Sequence, residues 1–238
     1  MLEANPRSSR SMPFMVKATS IPLVDLGVLA MLGKNRAEVH PEKYQWRNLQ
    51  SVSVKGVVFP FKKFFEADTI LGPEMKSTGE SMGRGADYAE ALYKALAGSR
   101  HTFPERGEVF LSLRDNDKDE LLGVVKELLH MGYTLSATGG TAKYLNEKGL
   151  RCEVLKKVHE GRPHCVDRIR SGQVALVINT TSGRRSIEAS FGIRRSCIDY
   201  SIPCLTESDA AQSFIVALKR SRNKDLSVQA LPMLQPIL

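Results

Sequence analysis

GYTLSATGGTAKYLNEKG, residues Gly132 to Gly149, is the stretch that decides the fold. Tyr133 to Ala137 alternates and carries aromatic and Thr positions, the pattern of a short strand. Thr138, Gly139, Gly140 and Thr141 follow at once. Ala142 to Lys148 then has the Ala/Leu/Glu/Lys make-up of a helix closed by Gly149. A strand entering a helix through two glycines and two hydroxyls presents backbone N–H groups at the positive end of the helix dipole. That is a cradle for a phosphate or a carboxylate. TGGT also suits an ordinary strand-to-helix turn, so its meaning depends on its flanks.

Around this stretch the chain alternates strands and helices from about residue 106 onward. GEVFLSLRD reads as a strand, DKDELLGVVKELLHMG as a helix, RCEVLKKV as a strand and CVDRIRSG as a helix. QVALVIN is a further strand, followed by a helix over Ser186 to Tyr200, a short strand near Ile202 to Leu205 and a helix over Asp209 to Lys219. That rhythm predicts an α/β fold with a parallel sheet and helices on both faces. Ligands of such sheets collect at the carboxyl ends of the strands. Three polar segments fall there: Arg114 to Lys118, Thr138 to Thr141, and Asn179 to Arg185.

The earlier part reads differently. Leu2 to Arg7 looks like a strand end running into a turn; Glu3 and Asn5 point to one side of it and offer oxygen to Mg²⁺, with Arg7 nearby for a phosphate. A surface turn is the plainer reading of those residues taken alone. Ile21-Pro22 opens a helix through Leu32 that Gly33 stops. Lys34 to Gln50 reads as a polar linker, and SVSVKGVVFPF as a buried strand with a central glycine. LGPEMKSTGESMGRG (Leu71 to Gly85) reads as a Gly-punctuated loop, and Asp87 to Leu96 as an amphipathic helix ending at Gly98. So few strands do not close a core alone, and this part is expected to need a partner.

The 238 residues carry a formal charge of +8, with 42% hydrophobic, 25% charged and 7% aromatic residues. Those proportions are ordinary for a soluble globular protein. The longest apolar run, Leu26 to Leu32, is far below a membrane span, and the opening residues lack the apolar core of a secretory signal. Cys152, Cys165, Cys197 and Cys204 show no CxxC pairing, so reduced thiols and a cytoplasmic location are expected. The basic residues neighbour Gly, Ser, Thr and His rather than aromatics, which suits small phosphorylated ligands better than nucleic acid. His159 and His164 have no evident catalytic partner and read as structural.

Four stretches then carry a resemblance: KVHEGRPHCVDRIRSGQ, VINTTSGRRSIEASFGIRRSCIDYSIP, LGPEMKSTGESMG and LEANPRSSRSMPF. They closely resemble the carboxyl-terminal end of the carbamoyl phosphate synthetase large-subunit family, in register over essentially the whole chain. The resemblance implies that residues 1–105 are the remnant of an α+β ATP-grasp domain with a helical segment. Residues 106–238 would form a methylglyoxal-synthase-like, Rossmann-like allosteric domain. By position, Glu3 and Asn5 match Mg²⁺ (or Mn²⁺) ligands beside ATP, and Arg7 an anion-contacting arginine. Lys118, Thr138, Thr141, Lys157, Asn179, Thr180, Thr181 and Ser190 match residues that hold nucleotide monophosphates such as UMP or IMP. Arg184 and Arg185 stand in the same motif and are expected to contribute charge. The implied partners are the rest of the large subunit and the glutamine amidotransferase small subunit, with neither nucleic acid nor membrane.

The sequence also departs from that family. Ornithine-responsive relatives have a Glu where this chain has Gly56, and a Tyr-Asp-Thr run where it has Cys204-Leu205-Thr206. With two carboxylates gone from a site for a cationic amino acid, ornithine is not expected to activate. A stand-alone lyase resembling methylglyoxal synthase and a cyclohydrolase-like domain are the competing readings. The first wants a carboxylate base that NTTSGRR does not supply.

Overall fold

The computed structural model describes residues 7, 9–44, 51–64, 66–72, 74–222, 226–228 and 230. It opens with three helices, α1 (Ser11–Thr19), α2 (Leu23–Met31) and α3 (Arg36–Val39). The last interrupts the stretch expected to be linker. Asn35 caps it by accepting from the Glu38 backbone N–H, while the Glu38 carboxylate accepts from the Asn35 N–H, a closed capping box. α2 has the apolar make-up of a core helix, yet none of its residues is buried.

The Gly-punctuated stretch after Leu71 is not wholly a loop. Its second half is a strand, β2 (Gly79–Gly85), paired antiparallel with β1 (Val52–Val58) from Val52 opposite Gly85 to Val58 opposite Gly79. Nor is β1 a buried strand: Gly56 is its one buried residue. The physical reason lies in α4 (Tyr88–Gly98), which crosses the hairpin at very short range. A Cβ at Gly83 would stand 1.9 Å from the Ala91 carbonyl oxygen, and one at Gly56 would stand 2.6 Å from that of Ala95. Glycines facing Ala91 and Ala95, both fully buried, bring helix and hairpin together. Composition that mimics a loop is here a packing face.

Beyond residue 106 the alternation forms as read. The strands are β3 (Glu108–Ser112), β4 (Thr134–Thr138), β5 (Glu153–Leu155), β6 (Val174–Asn179) and β7 (Cys204–Leu205). The helices are α5 (Asp115–Lys118), α6 (Leu122–His130), α7 (Gly139–Glu147), α8 (Cys165–Arg170), α9 (Arg184–Tyr200) and α10 (Ser208–Ser221). The sheet runs β5-β4-β3-β6-β7 with every pairing parallel. Alternate residues of its central strands feed two cores. Val109, Leu111, Leu176 and Ile178 pack with α6, α7 and α10, whereas Phe110 and Val177 pack with α8 and α9.

Helix α4, which packs on that hairpin, is joined to α10 through aromatic rings. Tyr93 meets Phe103 at 4.9 Å and Phe103 stacks on Phe214 of α10 at 5.3 Å. Among the described residues no single helix is long and apolar enough to cross a membrane.

Candidate functional site: a polar pocket at the carboxyl edge of the sheet

β3, β4 and β6 end side by side, so the segments after them converge. Between them lies a cavity of about 450 Å³. Of the residues expected to bind a ligand, Lys118, Thr138, Thr141, Lys157 and Thr180 line it, together with Gly140. Thr138 and the residues on either side of Thr181 thus face one open space.

Local chemistry fixes the walls. The Leu113 backbone N–H donates to Thr141 Oγ1 at 3.1 Å, and the Arg114 N–H donates to Thr180 Oγ1 at 3.0 Å. These two bonds pin the segment after β3 to the segments after β4 and β6. Thr138 is the N-cap of α7 and Gly183 that of α9, and neither helix start has a side-chain cap. Gly183 sits at φ +78°, where a side chain would be strained, and so lets the backbone turn into α9. Two helix N-termini without side-chain caps favour a bound anion at this edge.

The cations are held in place. Lys118 Nζ donates to the Gly140 carbonyl at 3.2 Å and pairs with Asp115 at 2.6 Å. That hydrogen bond keeps the Asp115 carboxyl below the usual carboxylate range. Arg114 pairs through Nε with buried Asp117 at 2.7 Å, and the hydrogen bond raises the guanidinium above its ordinary value.

Not every expected residue reaches the cavity lining. Asn179 and Ser190 are buried and bonded to Arg194. The Thr181 carbonyl accepts from Arg114 Nη1 at 3.4 Å. Arg184 reaches Glu188 one helical turn on, at 2.8 Å, with its own side chain 91% exposed, and Arg185 is likewise exposed. Glu3 and Asn5 lie outside the described residues, and Arg7 is exposed. Among the described residues no group of three or more His, Cys, Asp or Glu is placed to hold a metal. His164 caps α8, its Nδ1 accepting from the Asp167 N–H at 3.3 Å, a structural role as read.

Among the other lining residues, Arg114, Asn116 and Ser182 lie within the polar segments marked in the sequence without being singled out there, and Ser112 and Ser186 lie outside them. Arg114 was the most accessible of these, as a cation two residues past a strand end. The serines have no mark in the sequence that separates them from surface serines.

A parallel sheet with a polar pocket over its carboxyl edge defines a class, and residues 120–206 match the family model described as the MGS-like domain. The chain carries an MGS-like domain. Over 97% of its length it is 42% identical to the carbamoyl phosphate synthase large chain of Myxococcus xanthus, of which it covers 21%. It is 39% identical, also over 97% of its length, to the "Carbamoyl phosphate synthase large chain, C-terminal section" of Aquifex aeolicus, covering 47% of that protein. A solved methylglyoxal synthase from Elizabethkingia anophelis is 23% identical, with a TM-score of 0.38, over 48% of this chain and 79% of that one. In sequence the chain corresponds to the carboxyl-terminal part of carbamoyl phosphate synthase large chains, and it spans between about a fifth and a half of the length of those relatives.

Proposed function

We propose that this chain is the regulatory part of a carbamoyl phosphate synthase large chain, and that its pocket takes a nucleoside monophosphate such as UMP or IMP. The observation that carries this reading is the cavity itself. Lys118, Lys157, Thr138, Thr141 and Thr180 surround a space at two uncapped helix starts. A phosphate there accepts from hydroxyls and backbone N–H groups and neutralises lysine charge.

Residues 1–105 are the ATP-grasp remnant in this proposal, with Glu3, Asn5 and Arg7 serving Mg²⁺ (or Mn²⁺) and ATP. Residues 106–238 are the effector domain. Catalysis belongs to the complete synthase, joined by the rest of the large chain and the glutamine amidotransferase subunit, in the cytoplasm and serving pyrimidine and arginine biosynthesis. The effector changes activity only by binding two states of that machinery unequally.

Ornithine is not an effector in this reading. A Cβ at residue 56 would lie 2.3 Å from Ser81 Oγ and 2.4 Å from Ser99 Oγ, so a glutamate there has no room. The cavity beside Cys204 and Thr206 includes neither Asp nor Glu among its lining residues. A proton-abstracting lyase is also disfavoured. Asp115 does line the effector pocket, but its pKa is lowered by Lys118 and its side chain is 91% exposed, whereas a base at neutral pH wants the opposite.

Titration of UMP and of IMP into the purified chain tests the proposal. A ligand at 100 times its Kd adds about 2.7 kcal/mol to folding stability and raises the Tm. Lys118→Ala and Thr141→Val should each weaken binding tenfold or more. If neither nucleotide nor inorganic phosphate moves the Tm of the wild-type chain, the proposal fails.

A further inference from the structure

α9 joins two places far apart in the chain. Its first turn borders the pocket, where Ser186 is part of the lining. Three turns on, Arg194 and Arg195 hold the connection between β1 and β2, residues 59–78. Arg194 is 0% exposed. Its Nε and Nη2 clamp the Asp68 carboxylate at 2.6 and 2.5 Å, and Nη2 also donates to the Ile187 carbonyl at 2.8 Å. Nη1 donates to Ser190 Oγ at 2.6 Å and to Asn179 Oδ1 at 3.3 Å. All five N–H donors of the guanidinium are thereby engaged.

The partners on the pocket side lead back to its wall. Asn179 Nδ2 donates to the Ser112 carbonyl at 3.5 Å, and Ser190 Oγ donates to that of Ser186 at 2.7 Å. Ser112 and Ser186 both line the cavity. On the other side, Arg195 Nη1 donates to the carbonyls of Phe64 at 2.8 Å and Phe61 at 3.3 Å, so the connection has two anchors on one helix.

A buried guanidinium with no spare donor cannot follow a displacement on one side without straining a bond on the other. Arg194 is the buried partner, so a shift of Asp68 leaves a guanidinium charge in the interior without its carboxylate. We propose that α9 couples occupancy of the pocket to docking of residues 59–78, with Arg194 as the joint between them. This rests on the pocket reading above. Coupling between two sites is reciprocal, so loosening Asp68 weakens ligand binding by the factor by which the ligand tightens the connection.

Hydrogen exchange on the whole chain, with UMP and IMP as probes, tests this. Saturating nucleotide should slow exchange at amides of residues 61–64 and 66–72 by fivefold or more. Asp68→Asn, chosen because its side chain is 23% exposed and Arg194 stays in place, should erase that protection and raise the Kd about fivefold. Binding that leaves exchange in 59–78 unchanged overturns the coupling alone, as does a folded Asp68→Asn chain with wild-type affinity. If Asp68→Asn does not fold, the wild-type exchange measurement decides by itself. No binding of either nucleotide to the wild-type chain overturns the pocket reading and the coupling with it.

Discussion

Gly140 and Glu90 show what single residues contribute. A Cβ at Gly140 would meet only Lys118 Nζ, at 3.8 Å, an ordinary contact, and Gly140 lines the pocket. Gly140→Ala should therefore leave the Tm within a degree or two while weakening nucleotide binding several-fold, a split that paired melting and titration would detect. Equal affinity in that variant means the phosphate does not approach this turn. Glu90 belongs to stability instead. Its Oε1 accepts from Ser227 Oγ at 2.7 Å, from the Ser227 N–H at 2.9 Å and from Lys94 at 2.9 Å. These bonds, the Ser227 hydroxyl first, lower its pKa from 4.5 to about 2. A depressed folded pKa gives stability that is present above pH 4.5 and is lost as pH falls towards 2. Urea unfolding of wild type and Glu90→Gln should differ most at pH 7, with the gap closing across that window. A pH-independent gap would assign the effect to packing.

At the scale of elements, the hairpin β1–β2 and helix α4 form a unit that glycine makes possible. Gly83→Ala places a methyl within 1.9 Å of a backbone oxygen, so helix and strand must separate. Overpacking of this kind costs about 1–3 kcal/mol, occasionally more. Chemical denaturation should show that loss, whereas Gly139→Ala, with nothing within 4 Å of its Cβ, should show none. This unit is where sequence reading stopped short. Glycines at 79, 83 and 85 carry the signature of a loop, and only the helix lying across Gly83 and Gly85 reveals a contact face. β3 and β6 were legible as short apolar runs and β4 as an alternating one, each bounded by turn residues. α7 was legible too, although it starts at Gly139 rather than Ala142, since the glycines form its first turn.

For the whole molecule, the surface left uncovered matters most. Val24, Val28, Met31 and Leu32 are 50, 44, 80 and 73% exposed on or beside a helix with no buried residue. Exposed apolar clusters mark interaction surfaces. Val28→Ser with Met31→Ser should lower binding of a hydrophobic dye and reduce self-association in sedimentation while leaving the Tm nearly unchanged. A falling Tm would mean that the helix is already packed within the chain.

Sequence alone determined the alternation that makes a parallel sheet, the carboxyl edge at which its polar loops gather, and most of the lysines and threonines around the pocket. Those features depend on local periodicity and on chain order, which one dimension records. Tertiary structure decided the rest. It turned Asn179 and Ser190 inward to Arg194, brought Arg114 to the cavity and tied Asp68 to a residue 126 positions later. Whether a polar side chain faces a ligand or a buried neighbour is set by what packs across from it, and that packing brings together elements far apart in the chain.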